Sequence, residues 1–223
     1  MKISIICSTE KHPVYPWLVQ WKQLHKNIHD IEIVEKAENI SGGDLLFLIS
    51  CHDIIDAKIR AHYKSALVIH ASDLPLGRGW SPHVWQVLEG RNNIVVSLLE
   101  VADQVDGGAI WCKKEIKLEG HELVDEINKK LFEVELELMD FAIKCFGNVI
   151  PEEQDASKAT YYPKRFPEDS QLDINKTIAE QFDLLRVSDP NRYPAFFEYR
   201  GYRYNVKIVK VKPDNKKGLD DES

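Results

Sequence analysis

His70 and Asp106 are the two residues of this chain best placed to move a proton. They sit in two phrases, Leu67-Val68-Ile69-His70-Ala71-Ser72-Asp73-Leu74-Pro75-Leu76-Gly77-Arg78-Gly79 and Asp103-Gln104-Val105-Asp106-Gly107-Gly108-Ala109-Ile110. The first reads as a buried strand that ends on a histidine and breaks into a Pro/Gly loop. The second reads as an acidic turn between two apolar strands. On an open α/β sheet ligands collect at the carboxyl ends of strands, so a histidine at one exit with an acid from another makes a proton-transfer site. His70 would be the acid/base, and Asp106 would orient it and favour its imidazolium. Gly107 and Gly108 permit a tight turn through which backbone can approach a ligand. Ser50, Cys51 and His52 end a third apolar run, and the expectation is that all three exits converge on one edge of the sheet.

Each feature has a plainer reading. A lone histidine at a strand end is more often structural than catalytic, and Asp103 and Asp106 in a Gly-rich turn are turn formers by default. His52, His62 and His83 acquire no role from spacing. Trp80 and Trp85 flank the loop after His70; packing is the default, and a wall of a substrate pocket is the sharper alternative. Lys164, Arg165, Arg186 and Arg192 are either solvated surface or contacts to the phosphates of a nucleotide.

The elements that must position these groups follow from periodicity. Residues 2–8, 31–34, 44–51, 66–70, 93–101 and 109–116 read as strands. The run Leu45-Leu46-Phe47-Leu48-Ile49 has the continuous apolar character of a central parallel strand. Helices are expected over 14–28 (Trp17, Leu18, Trp21 and Leu24 at helical spacing), 53–63, and from Pro82 to Leu88 behind an N-capping Ser81. A long helix is expected from about His121 to Cys145, with Leu123, Ile127, Leu131, Val134, Leu138 and Phe141 on its core face. Strands alternating with helices argue for a doubly wound, mostly parallel α/β sheet. The strand pair near 93–116 breaks strict alternation, so a mixed sheet is expected. We divide the chain into a main domain over residues 1–150, a small helix-plus-hairpin subdomain over 151–212, and a disordered tail over 213–223. The hairpin is expected around Arg200-Gly201.

Composition narrows the class. The chain has 223 residues, 43% of them hydrophobic, and a formal charge of −7. That charge argues against a broad nucleic-acid surface. The four cysteines are far apart and form no C-x-x-C pair, which suggests neither a zinc site nor a disulfide framework and fits a cytoplasmic location. No segment approaches the ~20 apolar residues of a membrane span.

The two phrases resemble the folate-dependent N-formyltransferases. That family carries Asn-x-His-x-Ser, then Leu-Pro, a Gly-containing loop, and later Asp-x-Gly. Here His70, Ser72, Leu74-Pro75, Arg78-Gly79, Pro82 and Asp106-x-Gly108 match in order and approximate spacing. The resemblance implies a Rossmann-like formyltransferase fold. It also implies a reaction in which 10-formyltetrahydrofolate donates its formyl group to a primary amine, without a metal. His70 would manage the proton, and Asp106 would orient it and could hold a relaying water. The pterin would lie against Ile49, Ser50, Cys51 and His52 on one side and Val101, Asp103 and Gly107 on the other. One position departs from the pattern: the family's Asn falls at Val68. Losing one donor to a developing oxyanion typically costs about 3 kcal/mol. Either another group donates, such as the His70 imidazolium or a backbone N–H, or the chain is slow or inactive. Retention of His70 and Asp106 favours the first.

The acceptor is the next question. Tyr161-Tyr162-Pro163-Lys164-Arg165, Asp189 to Pro194 and the Trp80–Trp85 region resemble the amino-sugar branch of the family. That branch formylates nucleotide-linked 4-amino-4,6-dideoxy sugars, and a nonulosonic-acid pathway such as that of pseudaminic acid fits. Transfer to initiator tRNA usually uses a further C-terminal domain, for which about 60 residues stand here, and the acidic balance suits tRNA poorly. Arg78, Trp80, Tyr162, Lys164, Arg165 and Arg192 are the expected substrate contacts, with aromatic rings on the base and cations on the pyrophosphate. A homodimer through the C-terminal hairpin is expected by the same resemblance. Two alternatives remain open: a hydrolase that releases formate from the same cofactor, and a catalytically silent folate- or nucleotide-binding homologue.

Overall fold

The computed structural model describes residues 1–211. The tail expected over 213–223 lies outside the described residues. The main sheet has six strands: β1 (Lys2–Ile6), β2 (Asp30–Val34), β3 (Gly43–Leu48), β4 (Tyr63–His70), and, further along, Asn93–Glu100 and Ile110–Lys117. The two-residue strand Arg78–Gly79 intervenes and is β5, so the last two are β6 and β7. Their order across the sheet is β2-β1-β3-β4-β6-β7. The pairs among β2, β1, β3 and β4 are parallel; β6 runs antiparallel to both β4 and β7. The fold is therefore the mixed, mostly parallel α/β sheet that the alternation suggested.

Strand periodicity sorts the side chains of β4 onto two faces. Leu67, Ile69 and Ala71 join the larger core with Ile5, Phe47, Val96 and Leu98. That face is covered by α1 (Tyr15–His25), α3 (Pro82–Leu88) and α4 (Val124–Cys145), where α2 (Ala57–Arg60) is the short helix before β4. Ala66 and Val68 face the other way, onto a smaller cluster with Leu46, Leu48, Ile55 and Val101. His70 continues that second face.

Helix limits differ in instructive ways. The helix expected over 53–63 contracts to one turn, because the Asp56 carboxylate accepts from the Ile59 N–H and starts the helix there. Pro82 opens α3 as expected, but Ser81 is no cap: it stands at φ +46 and makes no side-chain bond to the first turn. After Cys145 the chain is mostly irregular. It contributes the two-residue strand β8 (Tyr161–Tyr162), which pairs in parallel with β5. The helix expected within the 151–212 subdomain divides into a 3₁₀ turn (Ala179–Gln181) and α5 (Phe182–Val187). The hairpin is present as β9 (Ala195–Tyr199) and β10 (Tyr202–Val206), turning at Arg200-Gly201. Leu172, Leu185 and Ala195 form its own cluster, while Val187 enters the main core. No helix among the described residues is long and apolar enough to cross a membrane.

Candidate active site

His70 is the last residue of β4 and is 7% exposed. Its Nε2 lies 2.8 Å from the Gly77 carbonyl oxygen, which can only accept, so Nε2 carries a hydrogen. Its Nδ1 lies 3.5 Å from Asp106 Oδ1. In the neutral ring Nδ1 would present a lone pair to a carboxylate. A doubly protonated ring would donate to both neighbours, the Gly77 carbonyl and the Asp106 carboxylate.

Asp106 does not arrive in the way the strand pattern suggested. Because β6 is antiparallel to β4, its carboxyl end lies at the opposite edge of the sheet from His70. The 101–109 loop instead folds back across the face that carries Val68 and His70. Several bonds hold it there. Asp106 Oδ2 accepts from the Gly79 N–H at 2.9 Å, and Gln154 Nε2 reaches the carbonyls of Asp106 and Gly108 at 2.9 and 2.7 Å. Asp106 itself sits at φ +53. Gly108 is obligatory for a steric reason: a Cβ there would lie 1.9 Å from the Glu100 carbonyl oxygen.

Val68 lies on the His70 face, half-buried against Leu74, Leu99 and Ile110. It offers no donor. Ser72, also in the His70 phrase, is 2% exposed, and its hydroxyl has no partner among the described residues.

The two segments expected to hold a pterin are tied side by side by Arg60, which sequence reasoning missed. It donates to the Ile55 carbonyl at 2.9 Å and to Asp103 at 2.5 Å. Asp103 thus serves as a tether between segments. Ile49 is buried, whereas Ser50 turns out of β3 at φ +52 and His52 is exposed. Ile54 and Val105 are 89% and 68% exposed, apolar side chains that a flat ring would cover. Cys51 and Val101 line the apolar cluster beneath.

The expected substrate residues divide into two groups. Trp80 is exposed, with Lys164 Nζ 4.9 Å above its ring and the His52 ring 6.3 Å away. Trp85 stacks on Tyr162 at 6.1 Å, with Arg165 over it at 5.9 Å. The β5–β8 pairing therefore lays the 161–165 segment along the loop after His70. Arg78 differs from expectation. It is 1% exposed and bonded to Gln154 at 2.7 Å, so its guanidinium braces the protein instead of facing solvent. Arg186 is likewise buried, against Asp183 and Asn92. Arg192 is exposed over Tyr193, near enough to His12 to lower its proton affinity.

Burial perturbs three titratable side chains outside this pair, His12, His83 and Glu135. Burial, and after it nearby cationic groups, pushes His12 and His83 each down to about 4. Glu135 lies in the middle of the buried stripe of α4, between Leu131, Phe132, Leu138 and Met139. Its Oε2 has no partner among the described residues, and burial pushes the carboxyl up to about 8. The apolar spacing of α4 hid it.

The family model described as "Formyl transferase" matches residues 8–143. The chain belongs to the formyl transferase family. A methionyl-tRNA formyltransferase of Streptococcus gordonii is 26% identical over 74% of this chain and 53% of its own length. The chain thus spans about half the length of the curated relatives it matches. Among solved structures, a methionyl-tRNA formyltransferase from Clostridium thermocellum aligns over 95% of this chain and 94% of its own, with a TM-score of 0.80 and 21% identity. A sugar N-formyltransferase from a Shewanella species aligns over 95% and 99%, at 0.71 and 16%. HypX from Aquifex aeolicus, in complex with tetrahydrofolic acid, aligns over 96% of this chain and 39% of its own, at 0.74 and 19%. At these identities the structures establish a shared fold. The family match ends within α4, so Gln154 and the 161–165 segment lie beyond it.

Proposed function

We propose that this chain is an N-formyltransferase acting on the primary amine of a nucleotide-linked amino sugar. The observation that carries the reading is the His70–Asp106 pair: both side chains are nearly buried and held together by a loop that crosses the sheet face. 10-Formyltetrahydrofolate, when bound, supplies the formyl group. The residues at its expected place fit a folate: tethered segments at 50–55 and 101–106 with exposed apolar side chains at Ile54 and Val105. Ser50, Cys51, His52, Val101 and Gly107 would hold it, with Ile49 beneath.

In this reading His70 accepts the proton that the acceptor amine loses, at Nδ1, on the side facing Asp106. The Asp106 carboxylate then stabilises the imidazolium. The Gly77 carbonyl keeps the ring from turning. An imidazolium beside the reacting carbonyl also offers positive charge where Val68 offers none. Trp80, Tyr162, Lys164, Arg165 and Arg192 remain the proposed acceptor contacts, the aromatic rings for a base and the exposed cations for phosphates. Arg78 leaves that set and becomes a brace. The acceptor fits a 4-amino-4,6-dideoxy sugar of the kind that leads to nonulosonic acids such as pseudaminic acid. We also propose a homodimer through the β9–β10 hairpin, where Tyr199, Tyr202 and Tyr204 are exposed. Val68 favours a second reading, a silent folate-binding homologue. His70→Ala separates the two: the enzyme loses turnover by orders of magnitude while retaining folate binding, and a silent homologue has no turnover to lose.

A further inference from the structure

Asp106 lies in the left-handed region at φ +53, a conformation that a non-glycine residue adopts at some cost. Such a residue persists only where its surroundings over-determine it. Here they form a closed circuit. Gln154 donates both amide hydrogens, one to the Asp106 carbonyl at 2.9 Å and one to the Gly108 carbonyl at 2.7 Å. It thereby clamps both ends of the Asp106-Gly107-Gly108 turn. Its Oε1 accepts from Arg78 Nη2 at 2.7 Å. Arg78 is 1% exposed, and its own N–H bonds to the Thr160 carbonyl at 2.9 Å. The next residue, Gly79, donates to Asp106 Oδ2 at 2.9 Å. The circuit thus runs from the Asp106 carboxylate through Gly79 and Arg78 to Gln154 and back to the Asp106 backbone.

The amide at Gln154 is spent on three bonds, and no other side-chain type offers two donors and an acceptor at this length. A carboxylate there would face two carbonyl oxygens. A hydrocarbon would leave the buried Arg78 guanidinium short of a partner. Nothing in the sequence marks Gln154 for a role, because its partners are 46 to 76 residues away.

We propose that Gln154, fixed by Arg78, is a positioning residue that sets the Asp106 turn and so aims the Asp106 carboxylate at His70. The proposal rests on the reading that this pair handles the proton in formyl transfer. It makes the irregular connector after α4 part of the active site.

The test uses the full chain with Gln154→Leu, Gln154→Glu, Arg78→Met and the Arg78→Met/Gln154→Leu double variant. Two readouts are taken: the ¹⁵N-imidazole signals of His70 without ligand, and kcat, KM and the pH–rate profile. In Gln154→Leu and Gln154→Glu the His70 signals should move toward those of Asp106→Asn. The kcat should fall on the order of 10- to 100-fold, the scale of a small misplacement of a catalytic group, and the pH profile should change. The double variant should lose little more than Gln154→Leu alone, because one circuit is already broken. His70 signals that coincide with wild type in both Gln154 variants would overturn the proposal. So would a pH profile identical to wild type, or losses at Arg78 and Gln154 that simply add. If Gln154→Leu does not fold, the isosteric Gln154→Glu carries the same comparison. Wild-type protein with no turnover on any acceptor would defeat the transferase reading, while the His70 signals would still decide the role of Gln154.

Discussion

Replacing Asp106 with asparagine should leave the fold nearly intact and remove most of the rate. The side-chain carbonyl of asparagine can still accept from the Gly79 N–H, so the turn keeps its anchor. Gln154 bonds only to the backbone of this turn and is untouched. What disappears is the charge. Asp106 and His70 stand 3.5 Å apart with side chains 9% and 8% exposed, so salt screens the pair little. At an effective dielectric constant of about 20, unit charges at that separation interact by about 5 kcal/mol. Part of that is lost to relaxation, because the contact is long for a hydrogen bond. A fall in kcat of about 10²- to 10³-fold follows. The asparagine amide would also donate to the bare Nδ1 of the neutral ring, which holds His70 in the form unable to accept a proton there. The assay is single-turnover formyl transfer across pH, beside a thermal melt. A folded variant whose rate falls less than tenfold, or whose pH profile matches wild type, would refute this account of the pair.

Other outcomes follow from the same geometry. Val68→Asn places an amide donor on the His70 face and should raise kcat by up to about 100-fold. It should cost about 1–3 kcal/mol of stability for a polar group set against Leu74, Leu99 and Ile110; kcat and the melting temperature, measured together, check both. Glu135 holds in the folded state a proton that the unfolded chain releases, so stability falls as pH rises from about 4.5 to about 8. His12 and His83 refuse a proton that the unfolded chain takes up, so stability is lost as pH falls from 6.5 toward about 4. Thermal midpoints should therefore peak near pH 6.5, and Glu135→Gln should remove the decline of about 2 kcal/mol between pH 6.5 and 8. Gly108→Ala drives a methyl into the Glu100 carbonyl and should cost about 3 kcal/mol, read by denaturant unfolding.

Much of this arrangement is legible in the amino-acid sequence. An apolar run ending in His70, then Pro75 and Gly77, is enough to place a histidine at the exit of a buried strand, because strand length and turn chemistry are local properties. Asp106 in its glycine turn was legible for the same reason. Strand direction was not. Whether β6 runs with or against β4 depends on non-local pairing, so the sequence pattern puts the Asp106 loop at a strand exit, whereas it folds over the sheet face. Arg78 reads as a substrate contact, and Arg186 as a solvated or phosphate-binding cation, because charge alone suggests an accessible side chain. Both are buried, with partners supplied by distant segments. Gln154 and the β5–β8 pairing were invisible for a related reason: two-residue strands carry no periodicity. Glu135 was masked by the apolar residues on either side of it along α4.

Release of tetrahydrofolate tests the formyl-transfer chemistry most directly. The purified protein would be given 10-formyltetrahydrofolate with and without a panel of UDP- and dTDP-linked 4-amino sugars, beside His70→Ala, and followed by absorbance. The account predicts turnover that requires one of those amines and disappears in His70→Ala while folate binding persists. Turnover that proceeds without any amine, or that survives the loss of His70, would contradict it.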